Sequence, residues 1–351
     1  MKFIHMADVH LGATPDKGES WSDARAREIW DTFRRAIAFA GEEKADLLLI
    51  SGDLFHRQPL VKELKEVNYL FSSIPDTEIV LTAGNHDYLR ADSAYLKFPW
   101  AGNVTGIWEE QPAAYEIPGL HTWVYGCSYY GREQKEPIYD SLRPNGQKGK
   151  HILLAHGGDA SHAPLDLSRL RNAGFDYVAL GHIHKPRILS DNMAYAGALE
   201  PLDRNDTGSH GIILGEWDTR GTLQLRMVPM AAREYRDLEI PVRPDTTQFS
   251  LEEQITYEIR QKGAAHLYRI LLTGRRDAEK DFELLRLKTL GNITQVEDAS
   301  TPDYNLKELM NRYEGTLIGE YIGSFLEKEA MTEVEEMALF YGLHAMLEGR
   351  L

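Results

Sequence analysis

The sequence predicts an α/β protein, and three observations carry that reading. Short apolar runs alternate with amphipathic stretches through the first half of the chain, the pattern of βαβ units. Residues able to bind metals or move protons stand directly after those runs, at Asp8, Asp53, Asn85, His156 and His182. The 351 residues are 42% hydrophobic, 10% aromatic and 26% charged, enough apolar material to offset chain entropy and exclude a mainly disordered chain.

Residues 3–7 are apolar except for His5 and read as the first buried strand. A helix follows with Ile29, Trp30, Phe33, Ile37 and Ala40 on one face, and Gly41 is placed to end it. Residues 47–51 form the second strand, 63–71 a helix closed by Pro75, and 79–83 the third strand. Further strands are expected at 122–126, 152–155, 177–180, 193–196 and 211–217, with the Gly-, Pro- and charge-rich segment 130–149 as a surface loop. These strands alone allow a single doubly wound sheet.

The texture changes near 233–244. Residues 1–235 are therefore taken as one domain and 236–300 as a small β-α-β-α-β domain. In the second, Ser250 with Glu253 is read as a capping box opening a helix to Lys262, followed by a strand at 267–272. A second helix is expected at 282–290, ended by Gly291, and a last strand at 293–296. The tail, 301–351, carries two amphipathic helices. One has Leu317, Ile318, Tyr321, Ile322, Phe325 and Leu326 on a stripe; the other has Val334, Met337, Ala338, Tyr341, Ala345 and Leu347. Gly315, Gly319 and Gly323 recur every fourth residue, which weakens a helix but admits a close backbone. Such a pair can dock on its own protein or bind a partner, and the pattern does not choose.

The longest apolar runs, 36–40 and 337–341, fall far short of the roughly 18 residues a membrane span needs. A single cysteine, Cys127, excludes an intrachain disulfide and a thiolate metal cluster, and reads as a buried thiol. Residues 1–5 open as a strand rather than as a targeting signal, so a cytoplasmic location is expected. Thirty-nine basic against fifty-four acidic residues give a net charge of −15, of which the tail contributes −6. So acidic a chain does not advertise a nucleic-acid surface, although clustered carboxylates suit metal cations.

Five short motifs carry the chemistry: Asp8-Val9-His10, Gly52-Asp53, Gly84-Asn85-His86-Asp87, His156-Gly157 and Gly181-His182-Ile183-His184. Each is weak alone, but each follows a predicted strand, and strand ends in an α/β sheet converge on one crevice. Two Asp, one Asn and four His come within mutual reach there. Imidazole and carboxylate without thiolate suit manganese, iron or zinc. Seven groups are too many for one ion with an open position and suit two, ~3.5–4 Å apart, sharing a bridging carboxylate.

In that order the motifs resemble the calcineurin-like metallophosphoesterase superfamily. Ser51-Gly52-Asp53-Leu54-Phe55-His56 and Gly181-His182-Ile183-His184-Lys185-Pro186 resemble its SbcD-type and Mre-type DNA repair nucleases. The motif match covers residues 1–235; beyond it the likeness is one of layout, a small capping domain and a helical tail. The resemblance implies a layered α/β core with two sheets. It places one metal on Asp8, His10 and His184, a second on Asn85, His156 and His182, and Asp53 between them. It makes His86 the general acid, Asp87 the carboxylate orienting the His86 ring, and His56 a group that places the phosphate or DNA end. It further implies a manganese-dependent exo- and endonuclease acting 3′ to 5′ on DNA ends, a homodimer, and an SbcC-like coiled-coil ATPase as partner. No G-x-x-x-x-G-K-[ST] occurs, so any ATP dependence belongs to that partner. The second motif lacks the G-D-x-x-D-R-G form of the protein phosphatases and Asp87 stands where they carry glutamate, which argues against phosphoprotein substrates.

Two other readings stand beside this one: a stand-alone hydrolase of small phosphoesters, favoured by the net charge, and a binding scaffold without catalysis. His5 is read as a packed core histidine. His162, His210 and His266 have no strand-end placement and read as structural; Arg269, Arg275 and Arg276 read as solvated charge.

Overall fold

The computed structural model describes residues 1–327 and 331–347. It divides into two compact units, Met1–Tyr235 and Arg236–Leu351. The first opens with β1 (Lys2–Met6), α1 (Ser22–Glu42), β2 (Leu47–Ser51), α2 (Val61–Ser72), β3 (Glu78–Thr82), α3 (Ala94–Lys97) and β4 (Val104–Gly106). It continues with β5 (Ala113–Ile117), β6 (Thr122–Gly126), β7 (Lys150–His156), α4 (Leu167–Arg171), β8 (Tyr177–Gly181), β9 (Arg187–Ser190), β10 (Met193–Tyr195), β11 (Gly211–Trp217) and β12 (Leu223–Pro229).

These strands form two six-stranded sheets, ordered β12-β11-β1-β2-β3-β4 and β5-β6-β7-β8-β10-β9. A single doubly wound sheet is therefore excluded, and the two-sheet core is what the family resemblance implies. Strict alternation along each strand explains why two sheets form. Phe3, Leu47, Leu49 and Val80 point into a core shared with Val124, Ile152, Leu154 and Ala179 of the second sheet. Ile4, Met6, Leu48 and Ile50 point the other way, against Ile29, Phe33 and Ile37 of α1 and Leu64, Val67 and Phe71 of α2. Strands apolar on both faces must be covered on both faces. The sequence pattern missed β4, β5, β9 and β12, which are short or only half-buried. Gly41 does not end α1 but lies in its last turn, and the chain leaves the helix through Lys44 at φ 51°. The segment 130–149 is a loop, yet Tyr139 within it is fully buried.

What positions the site is polarity. β1, β2 and β3 run parallel, as do β7 and β8, so their C-terminal ends emerge on one edge of each sheet. The two edges are joined there by a bridge between Ala7 and Ala198 and by the Leu199 amide donating to the Asp8 carbonyl, 3.4 Å.

The second unit carries β13 (Tyr235–Val242), α5 (Gln248–Lys262), β14 (Leu267–Asp277), α6 (Leu284–Leu287), β15 (Ile293–Asp298) and β16 (Thr301–Asp303), then α7 (Leu306–Arg312), α8 (Leu317–Leu326) and α9 (Glu333–Leu347). Its sheet runs β13-β14-β15, with β16 paired to β14, and Leu251, Ile255 and Ile259 of α5 pack on Ile240, Tyr268, Ile270 and Leu272. The α5 cap lies earlier than expected. Thr247 is the N-cap, its hydroxyl accepting from the Ser250 amide while Ser250 Oγ accepts from the Thr247 amide. The expected helix at 282–290 is a single α-turn continued as 3-10 helix, ending at the extended Gly291.

Among the described residues the tail holds three helices rather than two. Ile322, Leu339 and Leu343 are buried in one cluster flanked by Ile318, Tyr321 and Phe325, while Leu317, Val334, Met337 and Tyr341 stay exposed. The glycine series does not form a packing groove. A Cβ at Gly319 would meet the Tyr313 carbonyl at 2.4 Å, but one at Gly323 would meet nothing. The arginines read as solvated are paired: Arg269 with Asp237, Arg275 with Glu336 and Asp303, Arg276 with Asp298 and Asp281. Of the charged tail residues, Lys328, Glu329, Glu348 and Arg350 lie outside the described residues.

Candidate metal centre

All seven expected donors meet at the common sheet edge. Asp8 and His10 follow β1, Asp53 follows β2, Asn85 follows β3, His156 ends β7, and His182 and His184 follow β8. Asp8, His10 and His184 offer ligand atoms within 4.8 Å of one another, as do Asp8, Asp53 and His156. Asp53 Oδ2 lies 3.7 Å from His10 Nε2 and 3.5 Å from His156 Nε2, central to both groups. Asn85 Oδ1 stands 2.9 Å from His156 Nε2 and 3.2 Å from His182 Nδ1.

The backbone is bent to achieve this. Asp8, His10, Asp53 and His182 take left-handed φ values of 49°, 52°, 51° and 89°. Such strain in non-glycine residues is retained where surrounding structure over-determines it, most often at functional sites. Two glycines permit the approach. A Cβ on Gly84 would lie 2.2 Å from Asp53 Oδ1, and one on Gly181 would lie 2.0 Å from the Ser51 carbonyl oxygen.

Three of the histidines are held by one ring nitrogen so that the other faces the centre. His156 Nδ1 donates to the Ser51 carbonyl at 2.9 Å, His184 Nδ1 to Asp206 at 3.1 Å, and His182 Nε2 to Asp159 at 2.7 Å. Anchoring of that kind fixes the tautomer of a metal-ligating imidazole. Together with two buried carboxylates and an amide oxygen, these inward nitrogens fit divalent cations and leave no role for a soft metal.

Electrostatics agree. Burial favours the neutral form of Asp53, but His156 and His10 outweigh it and hold the carboxyl far below its usual range. Burial likewise opposes charge on His156, yet Asp53 lifts it to about 9; on His184, Asp206 and Asp8 do the same against burial, again to about 9. Burial raises Asp8 to about 6 and lowers His182 to about 4, with the nearby His156 charge assisting both the retention of the Asp8 anion and the depression of His182. His156 and His184 are thus the two histidines of the centre whose positive charge the neighbouring carboxylates favour.

His86 lies at the edge of the centre. Its amide donates to Asp53 Oδ1 at 2.8 Å, and its Nδ1 lies 3.2 Å from the His56 carbonyl oxygen, which makes Nδ1 the protonated nitrogen. The His86 and His56 rings stack at 4.9 Å, and His56 Nδ1 is 3.3 Å from His10 Nδ1. Asp87 does not orient the His86 ring, contrary to expectation. Its carboxylate is fully buried and accepts from the Gly84 amide at 2.8 Å, the Phe55 amide at 3.0 Å and the Tyr95 hydroxyl at 2.7 Å. It braces the turn that carries Asn85 and His86, and burial followed by the Asp53 charge raises it to about 7.

Sequence reasoning missed Asp159, Asp206 and His162. His162 is not remote: its Nδ1 lies 2.9 Å from Asp159, and its ring centre 4.4 Å from that of His182. Asp159 lies three residues after the end of β7 and Asp206 in a loop 22 residues after His184; neither falls within the five motifs, so nothing in the pattern marked them. His5 is the core histidine expected, bonded to Tyr177 and Ser51 at 2.8 Å each, and Cys127 is buried.

The sequence profile of the calcineurin-like phosphoesterases matches residues 1–186, more than half of the chain. Among similar proteins is the DNA double-strand break repair protein Mre11 of Methanocaldococcus jannaschii, 30% identical over 218 residues, covering 59% of this chain and 58% of that protein. The Mre11 of Methanopyrus kandleri is 28% identical over 274 residues, covering 68% and 59%. The metallophosphoesterase YhaO of Bacillus subtilis is 27% identical over 299 residues, covering 78% and 72%. The match thus spans less than two thirds of either archaeal relative.

Proposed function

We propose, from the premise that the chain belongs to the calcineurin-like phosphoesterase family, that it hydrolyses phosphodiester bonds of DNA at or near ends, using two divalent cations. The observation that carries this reading is the convergence of Asp8, His10, Asp53, Asn85, His156, His182 and His184 beside an imidazole, His86, whose Nδ1 faces the His56 carbonyl oxygen at 3.2 Å. The likeness to relatives named as double-strand break repair proteins supports DNA as the substrate.

Asp8, His10 and His184 would hold one ion, Asn85, His156 and His182 the other, and Asp53 both. A bound pair of ions supplies positive charge for the phosphoryl oxygens and acidifies a water that can attack phosphorus. The chain's own residues do the rest. The His56 carbonyl keeps a hydrogen on His86 Nδ1, so the imidazolium gives up its proton from Nε2. That proton passes to the leaving oxygen as the P–O bond breaks, and the ring returns to its neutral, Nδ1-protonated form. The Asp53 anion accepts from the His86 amide and fixes where this happens. His56, stacked on His86, helps hold the phosphate. The exposed Leu317, Val334, Met337 and Tyr341 are the surface we assign to an SbcC-like ATPase partner, and homodimerisation and manganese belong to the same reading.

The test is manganese-dependent release of nucleotides from linear double-stranded DNA, run beside His86→Ala and a small chromogenic phosphodiester. DNA should be degraded, and the variant should lose ~10²–10⁴-fold in turnover while retaining metal. A small-ester hydrolase is the second reading, favoured by the net charge of −15. Cleavage of the small ester alone, with DNA untouched even after addition of the ATPase, would establish it.

A further inference from the structure

The centre opens on one side into a cavity of about 680 Å³ that the seven donors do not explain. Its lining includes Asn85, His56 and His86 of the centre together with Tyr88, Arg132, Glu133 and His162. A single phosphate does not need that volume, which lies within the ~300–1,000 Å³ that holds a whole organic ligand. Its two arginines differ. Arg57 is neutralised by Glu63 through two bonds of 2.9 and 2.8 Å. Arg132 has no ion pair or hydrogen bond among the described residues, and the neighbouring Glu133 is paired with Lys135 at 2.8 Å.

The loop that carries Arg132 is not loose at this point. Two residues on, the Gln134 amide donates to the Ser161 carbonyl at 2.9 Å, and its carbonyl accepts from the Ala163 amide at 2.6 Å. Those bonds pin the loop to the segment that supplies Asp159 and His162, beside His182. An uncompensated guanidinium thus lines a nucleotide-sized cavity that the His86 imidazole lines as well. Tyr88, half-buried, offers the same cavity an aromatic ring.

The geometry points to a subsite for the nucleotide next to the scissile phosphate, with Arg132 binding its phosphate and Tyr88 stacking on its base. The inference rests on the phosphodiesterase reading and deepens it: the enzyme distinguishes a polynucleotide from a small phosphoester by this one flanking unit. Guanidinium suits phosphate because its planar fork presents paired donors, and base–aromatic stacking is indifferent to sequence.

The test measures both binding and cleavage of a fluorescently labelled ten-nucleotide single strand by the full chain with manganese, as wild type, Arg132→Ala, Tyr88→Ala and Lys148→Ala. The last removes a charge from the same loop outside the cavity. Arg132→Ala should weaken binding by about tenfold and flatten the slope of log Kd against log salt by roughly 0.7, the value for one phosphate on a single strand; Lys148→Ala should do neither. Binding that depends on Arg132 without cleavage, even after addition of the ATPase, would support the subsite while overturning the nuclease reading. Cleavage with an unchanged Arg132→Ala Kd and salt slope would overturn the subsite alone. A wild type that neither binds nor cuts the strand, with the ATPase or without it, would overturn both.

Discussion

At the scale of single residues, the centre is a problem in holding like groups together. The inward nitrogens of His10 and His184 face each other at 3.2 Å, an arrangement that costs energy unless a proton or a cation stands between them. Asp206 decides which nitrogen of His184 faces in, so Asp206→Asn should weaken divalent-cation affinity by about 10–100-fold, as loss of such outer partners does elsewhere. Titration with a fluorescent chelator reads this without any assay of turnover; unchanged affinity would remove Asp206 from the centre. The seven donors were legible because each follows a buried strand, whereas Asp159 and Asp206 sit in loops whose course no periodicity reveals. The role given to Asp87 failed for a related reason: sequence adjacency to His86 says nothing about direction, and the carboxylate turns inward. His5 supplies a second prediction. Burial depresses it to about 3, so it is neutral in the folded state. Below about pH 6.5 the unfolded chain binds a proton there and the folded chain does not, and stability falls as pH drops from 6.5 toward 3. Between pH 7 and 5 that loss is about 2 kcal/mol. Urea unfolding in EDTA should show the loss reduced by this amount in His5→Asn; an equal loss in both proteins would mean another group governs the acid limb.

At the scale of elements, the parallel strands were readable and the peripheral ones were not. Residues 47–51 announce themselves because a strand covered on both faces is continuously apolar. β12, by contrast, alternates half-buried and exposed residues at the sheet edge, and β4 has three residues. Helix ends were misread by a few positions for want of capping geometry. Ser250 with Glu253 satisfies the box pattern, but Thr247 with Ser250 makes the hydrogen bonds, and the helix starts at Gln248. Because the Thr247 hydroxyl satisfies an otherwise orphaned amide, Thr247→Ala should cost about 1 kcal/mol, and Thr247→Ser much less. Circular-dichroism melts of the two variants check this. Equal losses would mean that the β-branch of threonine, and not its oxygen, matters at the position.

At the scale of the whole molecule, chemistry and composition are divided between the two units. Every proposed metal donor lies in Met1–Tyr235, and so do all six tryptophans, at 21, 30, 100, 108, 123 and 217. Much of the acidity lies elsewhere: the last 51 residues carry −6 of the net −15, which moderates the objection that so acidic a chain should avoid DNA. The two kinds of observable can therefore be separated in one experiment. A cation that binds only the folded centre stabilises by mass action, by about 2.7 kcal/mol per site at a hundredfold excess over Kd. For a unit of this size that corresponds to a rise of roughly 5–10 °C in Tm. Tryptophan fluorescence reads the first unit alone, whereas circular dichroism reads both. With manganese the fluorescence transition should move up by that amount, while the part of the circular-dichroism transition belonging to Arg236–Leu351 stays in place. Asp53→Ala should abolish the fluorescence shift, since it removes the carboxylate lying between both groups of donors. If manganese moved both transitions together, the units would unfold as one cooperative body. If it moved neither, the centre would not bind the ion at all, and the two-cation reading would fall with it.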